Sequence, residues 1–246
     1  MQDKKSLQCG TSHDLGQNFA KVFNVKFLDT TGSEQYVWQT SWGVSTRLIG
    51  ALIMVHGDDK GIIVPPRIAP TQVVFVPIWK NDVEKEATKE AAVRLANSLS
   101  GISCEIDSRD IRPAARYYEW ERKGVPLRVE IGPRDIQNHQ AVLVRRDTGE
   151  KIFVREGEFL KKVTELLDII QKDLFERAKN FRDANIREVN TWNEFQETMA
   201  HQGGFIRTGW CGSAECEAKI KEATKATIRC MPSQSDGNGG ACIYCG

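Results

Sequence analysis

The sequence predicts an α/β fold, α+β over the chain as a whole, in three regions at residues 1–70, 71–185 and 186–246. Three observations predict it. An almost unbroken apolar, β-branched run at 72–79 (QVVFVPIW) has the pattern of a strand buried on both faces. From residue 82 to residue 181, helix-like and strand-like periodicities alternate, as they do where helices pack on a sheet. Five of the seven cysteines fall beyond residue 186, four of them in two close pairs, which marks a small separate unit. At 246 residues the chain exceeds the ~100 to 150 residues of a usual domain, so two or three cores are expected.

Apolar residues make up 40% of the chain and charged residues 27%, ordinary values for a globular protein. No apolar run approaches the ~20 residues that span a bilayer and no signal-peptide pattern opens the chain, so a cytoplasmic protein without a membrane partner is expected. A net charge of +1 does not indicate nucleic-acid binding over the whole surface. Any RNA contact must then be a local patch, and DNA is not an expected partner. The Gly/Ser/Asn-rich stretch at 233–240 is expected to be a mobile loop.

In the first region, Gly43 lets the backbone approach a ligand closely, Ser45 and Thr46 supply hydroxyls, and Arg47 adds a planar cation. That set suits a phosphate. A short apolar helix is expected at 48–55, then an acidic turn at 56–59, a β-rich run at 61–64 and a break at Pro65-Pro66. A cation at a buried helix start needs an anion nearby, so Arg47 and the helix N-terminus can act on one phosphate. An ordinary surface arginine on a structural hairpin and helix fits the same residues.

In the second region, a helix is expected at 82–99, with Val83, Ala87, Ala91, Leu95 and Leu99 on one stripe and Asn81 or Asp82 as its cap. A strand at 104–107, a helix at 113–123 and strands at 126–131 and 141–145 continue the alternation, with Cys104 in the core. The turn at 147–150 joins 142–144 to 152–154 as a hairpin. A long amphipathic helix closes the region, with Phe159, Val163, Leu166, Ile170, Leu174, Ala178 and Phe181 as core residues.

In the third region, Trp192, Phe195 and Met199 give a helix at 191–201 an apolar face, and 204–210 reads as a strand. Cys211-x4-Cys216 and Cys242-x2-Cys245 then form a pattern suited to one tetrahedral zinc ion held by four thiolates. Disulfides compete with that reading but are disfavoured in a cytosolic chain, and a redox CxxC lacks its flanking strand and helix. Cys230 is either a substitute ligand or a small hydrophobe on a strand edge.

Taken together, TSWGVSTRLIGA at 40–51 and GTSHDLGQNF at 10–19 closely resemble two segments of the class II aminoacyl-tRNA synthetases in their prolyl form. The first is motif 3 and the second a loop that contacts ATP and proline. The resemblance implies a partial class II antiparallel sheet, with Arg47 as the catalytic arginine that binds ATP. It implies that Gln8, Thr11 and Ser45 also contact ATP, and that His13, Trp42 and Gly43 line the proline pocket. Cys9 stands where the family has a small residue, a mild departure.

The strings YYEWERKGVPLRVEIGPRD (117–135) and AVLVRRDTGEK (141–151) resemble the anticodon-binding domain of the same family, an α/β unit with a mixed five-stranded sheet. There Glu121, Arg128 and Lys151 would read two guanines of the tRNA(Pro) anticodon. A carboxylate can accept from the donor edge of guanine while Arg or Lys faces O6 and N7. Arg109, Arg112, Arg116, Arg122 and Lys123 would add phosphate attraction, although a solvated charged face explains Arg122 and Arg116 as well. A structural ion pair likewise explains Glu121 with Arg128. The tail resembles the small α+β zinc-binding C-terminal domain of archaeal and eukaryotic-like prolyl-tRNA synthetases, which implies Zn2+ on Cys211, Cys216, Cys242 and Cys245. Family members continue past this last pair, so the zinc domain is expected to be truncated.

The family's dimer-forming first motif and second-motif arginine do not occur in these residues. The expectation is a C-terminal piece whose Met1 is an internal start and which does not catalyse alone. Its parent would be a homodimer that joins L-proline to ATP, with Mg2+, as prolyl-AMP and passes the prolyl group to tRNA(Pro). A stand-alone tRNA-binding module and a zinc-dependent structural or regulatory protein are the competing expectations.

Overall fold

The computed structural model describes residues 1–231 and 241–246, so the loop expected at 233–240 lies outside the described residues. The first region begins with β1 (Gly10–Gly16), α1 (Asn18–Val22), β2 (Lys26–Leu28), β3 (Glu34–Tyr36), β4 (Gln39–Val44) and α2 (Arg47–His56). β1 and β4 form an antiparallel ribbon running from the Gly10↔Val44 pair to Gly16↔Gln39. β2 and β3 form a hairpin whose turn is organised by the Asp29 carboxylate, which accepts from the N–H groups of Thr31 and Ser33. The helix start at Arg47 was expected to be buried and is exposed, as are Leu48, Ile49, Ile53 and Met54. None of the residues in α2 is fully buried: Ala51, Leu52 and Val55 are half-buried and the helix touches α6, but the rest of its apolar face is open among the described residues.

The middle region continues with β5 (Val73–Pro77), α3 (Asp82–Asn97), β6 (Cys104–Ile106), α4 (Pro113–Lys123), β7 (Leu127–Ile131), α5 (Pro133–Gln137), β8 (Gln140–Arg145), β9 (Lys151–Arg155) and α6 (Phe159–Ala184). Its sheet has the order β6-β5-β7-β8-β9. β5 runs parallel to β6 and β7, while β7–β8 and β8–β9 are antiparallel, so the sheet is mixed. Every residue of β5 is buried, as expected for a central strand covered on both faces. On one face, Val73, Phe75, Leu127, Val129 and Leu143 pack with Ala91 and Leu95 of α3 and with Phe159, Val163, Leu166 and Ile170 of α6. On the other, Val74 and Val76 pack with Trp120 and Val125, the first from α4 and the second just beyond it.

Three details differ from the sequence reading. In α3, Val83 and Ala87 are exposed, and the buried stripe is Thr88, Ala91, Ala92 and Leu95. Steps of four residues advance ~40° beyond a full turn each time, so a stripe drawn at every fourth residue drifts off the face. In α6, Phe181 is 38% exposed and Ala178 half-buried, because the last turns run past the sheet. Arg116, read as part of a solvated face, is 1% exposed: it donates to the Asp107 carbonyl at 2.7 Å and stacks over Trp79. Its neighbour Asp107 is buried too, bound by Arg109 and by the Trp120 indole N–H.

The run at 61–64 is extended backbone rather than a strand, with one bridge between Asp58 and Gly61. It docks on the end of α4 instead of pairing in a ladder. The Val64 N–H donates to the Gly124 carbonyl at 3.1 Å. A Cβ on Gly61 would sit 2.7 Å from Arg122 Cα, and one on Gly124 would sit 2.5 Å from the Ile62 oxygen, so the two backbones touch where only glycine fits. Arg146 (3% side-chain exposure) locks the same junction. It grips Asp58 through two bonds of 2.6 and 2.8 Å and donates to the Glu121 and Gly61 carbonyls at 2.7 and 3.2 Å.

The third region contains β10 (Ile186–Glu188), α7 (Trp192–His201), β11 (Phe205–Arg207) and α8 (Ala214–Thr224). β10 and β11 pair in parallel. Thr191 caps α7 through the Glu194 N–H, and a small core gathers Val189, Phe195, Ile220 and Ile243. β10, α8 and the five-residue α5 were not anticipated from sequence. Among the described residues, no helix is long and apolar enough to cross a membrane.

Two outcomes follow from the docked junction. Gly124→Ala and Gly149→Ala both put a Cβ on a residue at φ 75°, but only the first meets neighbours. Denaturant unfolding should show a loss of about 1 to 2 kcal/mol at Gly149 for the left-handed backbone, and about 1 to 3 kcal/mol beyond that at Gly124 for the clash. The Arg146 hydrogen bond holds the Asp58 carboxyl at about 2, below the ordinary 3.8. A depressed carboxyl stabilises the fold above its ordinary value and loses that contribution as the pH falls from 3.8 towards about 2. Across that window the unfolding midpoint should fall less steeply in Asp58→Asn than in the unsubstituted chain; equal slopes would show that the pair contributes nothing.

Candidate functional site

Three groups of side chains carry chemistry. The first lies on the β1–β4 ribbon and the start of α2. Thr11 pairs with Gly43, Ser12 with Trp42 and His13 with Ser41. Directly paired residues share a face and neighbours alternate, so Thr11, His13, Ser41 and Gly43 lie on one side of the ribbon and Trp42 on the other. The ribbon therefore does not bring Trp42 and His13 together on one face. It does bring Gly43 against Thr11, whose hydroxyl would lie 3.2 Å from a Cβ at Gly43. Arg47 reaches back to the Gln8 carbonyl at 3.5 Å, and its N–H donates to Ser45 Oγ at 3.3 Å, so Gln8, Ser45 and Arg47 are neighbours. His13, Ser45, Arg47 and Trp42 are exposed.

The second group lies on the face of the five-stranded sheet beside α4. Arg128 is held by Glu121 at 3.1 Å and by Glu130 at 2.9 and 3.1 Å, and it stacks 4.2 Å over the Tyr117 ring. Lys151, at the start of β9, donates to the other oxygen of Glu130 at 3.1 Å. Two carboxylates and two cations thus balance in one contiguous cluster. The members differ in access: the side chains of Arg128 and Glu130 are 10% and 9% exposed, Glu121 20%, and Lys151 55%. Register explains the gathering, because Arg128 faces Val144 and Val144 faces Lys151 across three strands.

The sequence reading named Glu121, Arg128 and Lys151 but missed Glu130 and Tyr117. The signals were available: Glu130 is two residues from Arg128 on a strand, and Tyr117 is four residues before Glu121 on a helix, spacings that share a face. Among the basic neighbours, Arg109 binds Asp107 and Glu119, and Lys123 pairs with Glu119 over the Trp120 ring. Arg112 and Arg122 are exposed.

The third group is the cysteine cluster. The sulfurs of Cys211, Cys216, Cys242 and Cys245 all lie within 4.8 Å of one another, close enough to hold one metal ion. Cys216 stands in the first turn of α8 and Cys242 is buried beside Ile243, so each pair is anchored to the small core. Burial raises the Cys242 thiol, but N–H groups of Cys245, Tyr244 and Cys211 outweigh it and bring the group down to about 6. Hydrogen bonding to the Cys242, Cys216 and Cys211 sulfurs pushes Cys245 up to about 12. Crowded thiols sharing protons in this way are what a thiophilic cation would deprotonate and replace. Cys230 is exposed and does not belong to the cluster, and Cys104 is half-buried against the main core.

Comparison with known proteins agrees with this geometry. Residues 72–166 match the family model described as "Anticodon binding domain", and residues 192–246 match "Prolyl-tRNA synthetase, C-terminal". Proline--tRNA ligase of Lachnoclostridium phytofermentans is 49% identical over 246 residues, all of this chain and 51% of that protein. The ligases of Natranaerobius thermophilus and Flavobacterium johnsoniae are 47% and 48% identical, again over all of this chain and 51% of their own length. The chain therefore spans about half the length of the curated relatives it matches. Aligned from end to end with proteins of that one name, and carrying the anticodon-binding and C-terminal models in order, it belongs to the prolyl-tRNA synthetase family.

Proposed function

We propose that this chain supplies motif 3, anticodon recognition and the zinc domain of a prolyl-tRNA synthetase, in units at 1–70, 71–185 and 186–246. The observation that carries the reading is the balanced cluster of Glu121, Arg128, Glu130 and Lys151 on a domain of the anticodon-binding family. Guanine presents N–H donors on its Watson–Crick edge and acceptors at O6 and N7. Glu121 accepts from the donor edge, releasing its single bond to Arg128, and Lys151 turns its remaining donors to the acceptors. Arg128 stays fixed by Glu130 and Tyr117 and offers the freed arm of its guanidinium. Exchange within a neutral cluster leaves no charge unpaired, which favours a base over bulk phosphate.

In the complete enzyme, the carboxylate of L-proline attacks the α-phosphate of ATP and displaces pyrophosphate to give prolyl-AMP, and the terminal hydroxyl of tRNA(Pro) then takes the prolyl group and releases AMP. Arg47, with Gln8, Thr11 and Ser45, holds ATP and shares its negative charge, with Mg2+ as the counterion. His13, Trp42 and Gly43 shape the proline pocket. The two faces of the ribbon assign His13 to the side of Thr11 and Gly43, so Trp42 acts from the pocket's rim. The exposed apolar face of α2 supports the view that this ribbon is one wall of a larger site in a cytoplasmic homodimer, and the stretch alone is inactive. Four thiolates ~2.3 Å from one Zn2+ would stand ~3.8 Å from one another, inside the 4.8 Å that bounds the sulfur cluster. Four donors fill the tetrahedron, so the ion is structural.

Filter binding to tRNA(Pro) transcripts at two salt concentrations tests the anticodon reading. Replacing an anticodon guanine should weaken binding by about tenfold, as expected for ~1 to 3 kcal/mol per misread base, and Glu121→Gln should abolish that difference. Equal, salt-sensitive binding to every transcript would refute it. Elemental analysis should find one zinc per chain, lost in Cys242→Ser together with a lower unfolding temperature; a metal-free chain of unchanged stability would overturn the zinc assignment.

A further inference from the structure

Arg146 takes no part in base reading as proposed above, yet among the described residues it makes more directed contacts than any member of the reading cluster. Its Nε donates to the main-chain oxygen of Glu121 at 2.7 Å. That oxygen also receives the Gly124 N–H at 3.0 Å, so Arg146 caps the C-terminal end of α4, where a cation is favoured. Its two terminal nitrogens grip both oxygens of Asp58, and one of them adds the Gly61 carbonyl. Asp58 lies two residues beyond α2, the helix that begins at Arg47. The Asp58–Gly61 turn is itself closed by reciprocal backbone bonds of 2.9 and 3.0 Å, so it is a rigid anchor.

One guanidinium thus joins the residue whose side chain faces the anticodon to the segment that leaves the candidate ATP-contacting helix. The planar fork matters. A lysine would supply charge but could not hold a carboxylate in two places and a carbonyl in a third. Gly61 and Gly124 let the backbones close to contact distance, and Arg146 sets the direction in which Glu121 then points.

We propose that Arg146 is a positioning residue for anticodon recognition: with Asp58 as its anchor, it fixes the backbone of Glu121 so that the carboxylate meets guanine in one orientation. The inference rests on the anticodon reading given above and adds a residue outside the reading set. A mispositioned Glu121 still carries charge, so the loss falls on discrimination between bases and not on general RNA affinity.

The test compares the unsubstituted chain with Arg146→Lys and Asp58→Asn by filter binding to tRNA(Pro) transcripts with intact or substituted anticodon guanines. Circular dichroism melting is followed in the same samples. Asp58 is 41% exposed, so its variant keeps the fold even if Arg146→Lys does not. The ratio of affinities for the two transcripts should fall by about tenfold in Arg146→Lys and by about threefold in Asp58→Asn, with affinity for the substituted transcript unchanged. If the unsubstituted chain discriminates and both variants discriminate equally well, the positioning role is wrong while the anticodon reading stands. A uniform loss of affinity that tracks the melting temperature would make Arg146 structural only and overturn the proposal. Absence of discrimination in the unsubstituted chain would overturn both.

Discussion

A guanidinium taken out of water needs acceptors or an aromatic face close by, and the middle region of this chain buries four of them. Arg116, Arg128, Arg145 and Arg146 are each less than 9% exposed. Arg116 is met by the Asp107 carbonyl and the Trp79 ring, with its Nε left without a partner among the described residues; Arg128 is met by Glu121 and Glu130, Arg145 by Asp147 and Asp173, and Arg146 by Asp58 and two carbonyls. These demands decide where α4 ends, how the β8–β9 turn is braced and where the segment leaving α2 must dock. Apolar packing on both faces of the sheet supplies stability; the buried cations among it supply direction.

The same constraint sorts these charges by the joints they serve. Arg145 and Arg146 are adjacent in sequence but serve different joints, because a residue at the end of a strand and the one after it face different ways. Arg145 turns to the hairpin and α6, where Asp147 and Asp173 hold it and raise it further above its ordinary value. Arg128 differs from both in sharing one carboxylate, that of Glu130, with a second and exposed cation, Lys151.

Much of this architecture was legible in the sequence, for identifiable reasons. The buried strand at Val73–Pro77 and the long helix at Phe159–Ala184 carry enough periods for their patterns to be unambiguous. The four cysteines were legible because two tight spacings leave little freedom in how the pairs converge. The five-residue α5 and three-residue β10 are shorter than any periodic signal. Arg116 was misread because arginine is normally a surface residue, and its burial depends on Asp107 and Trp79, which come from other elements. The sides taken by His13 and Trp42 depend on a register between strands nearly thirty residues apart, which local pattern does not encode.

The hairpin between β8 and β9 has a further consequence. Arg128, Val144 and Lys151 form one row across the sheet, and Glu130, Val142 and Phe153 form the next. Because side chains alternate with a period of two, a slip of β9 by one residue against β8 would carry Lys151 to the opposite side of the sheet and take Ile152 and Val154 out of the core in which they pack. Those two apolar residues therefore hold the cation in its place. A residue added to the turn is taken up by the turn, and Lys151 keeps its side because moving it would open the core.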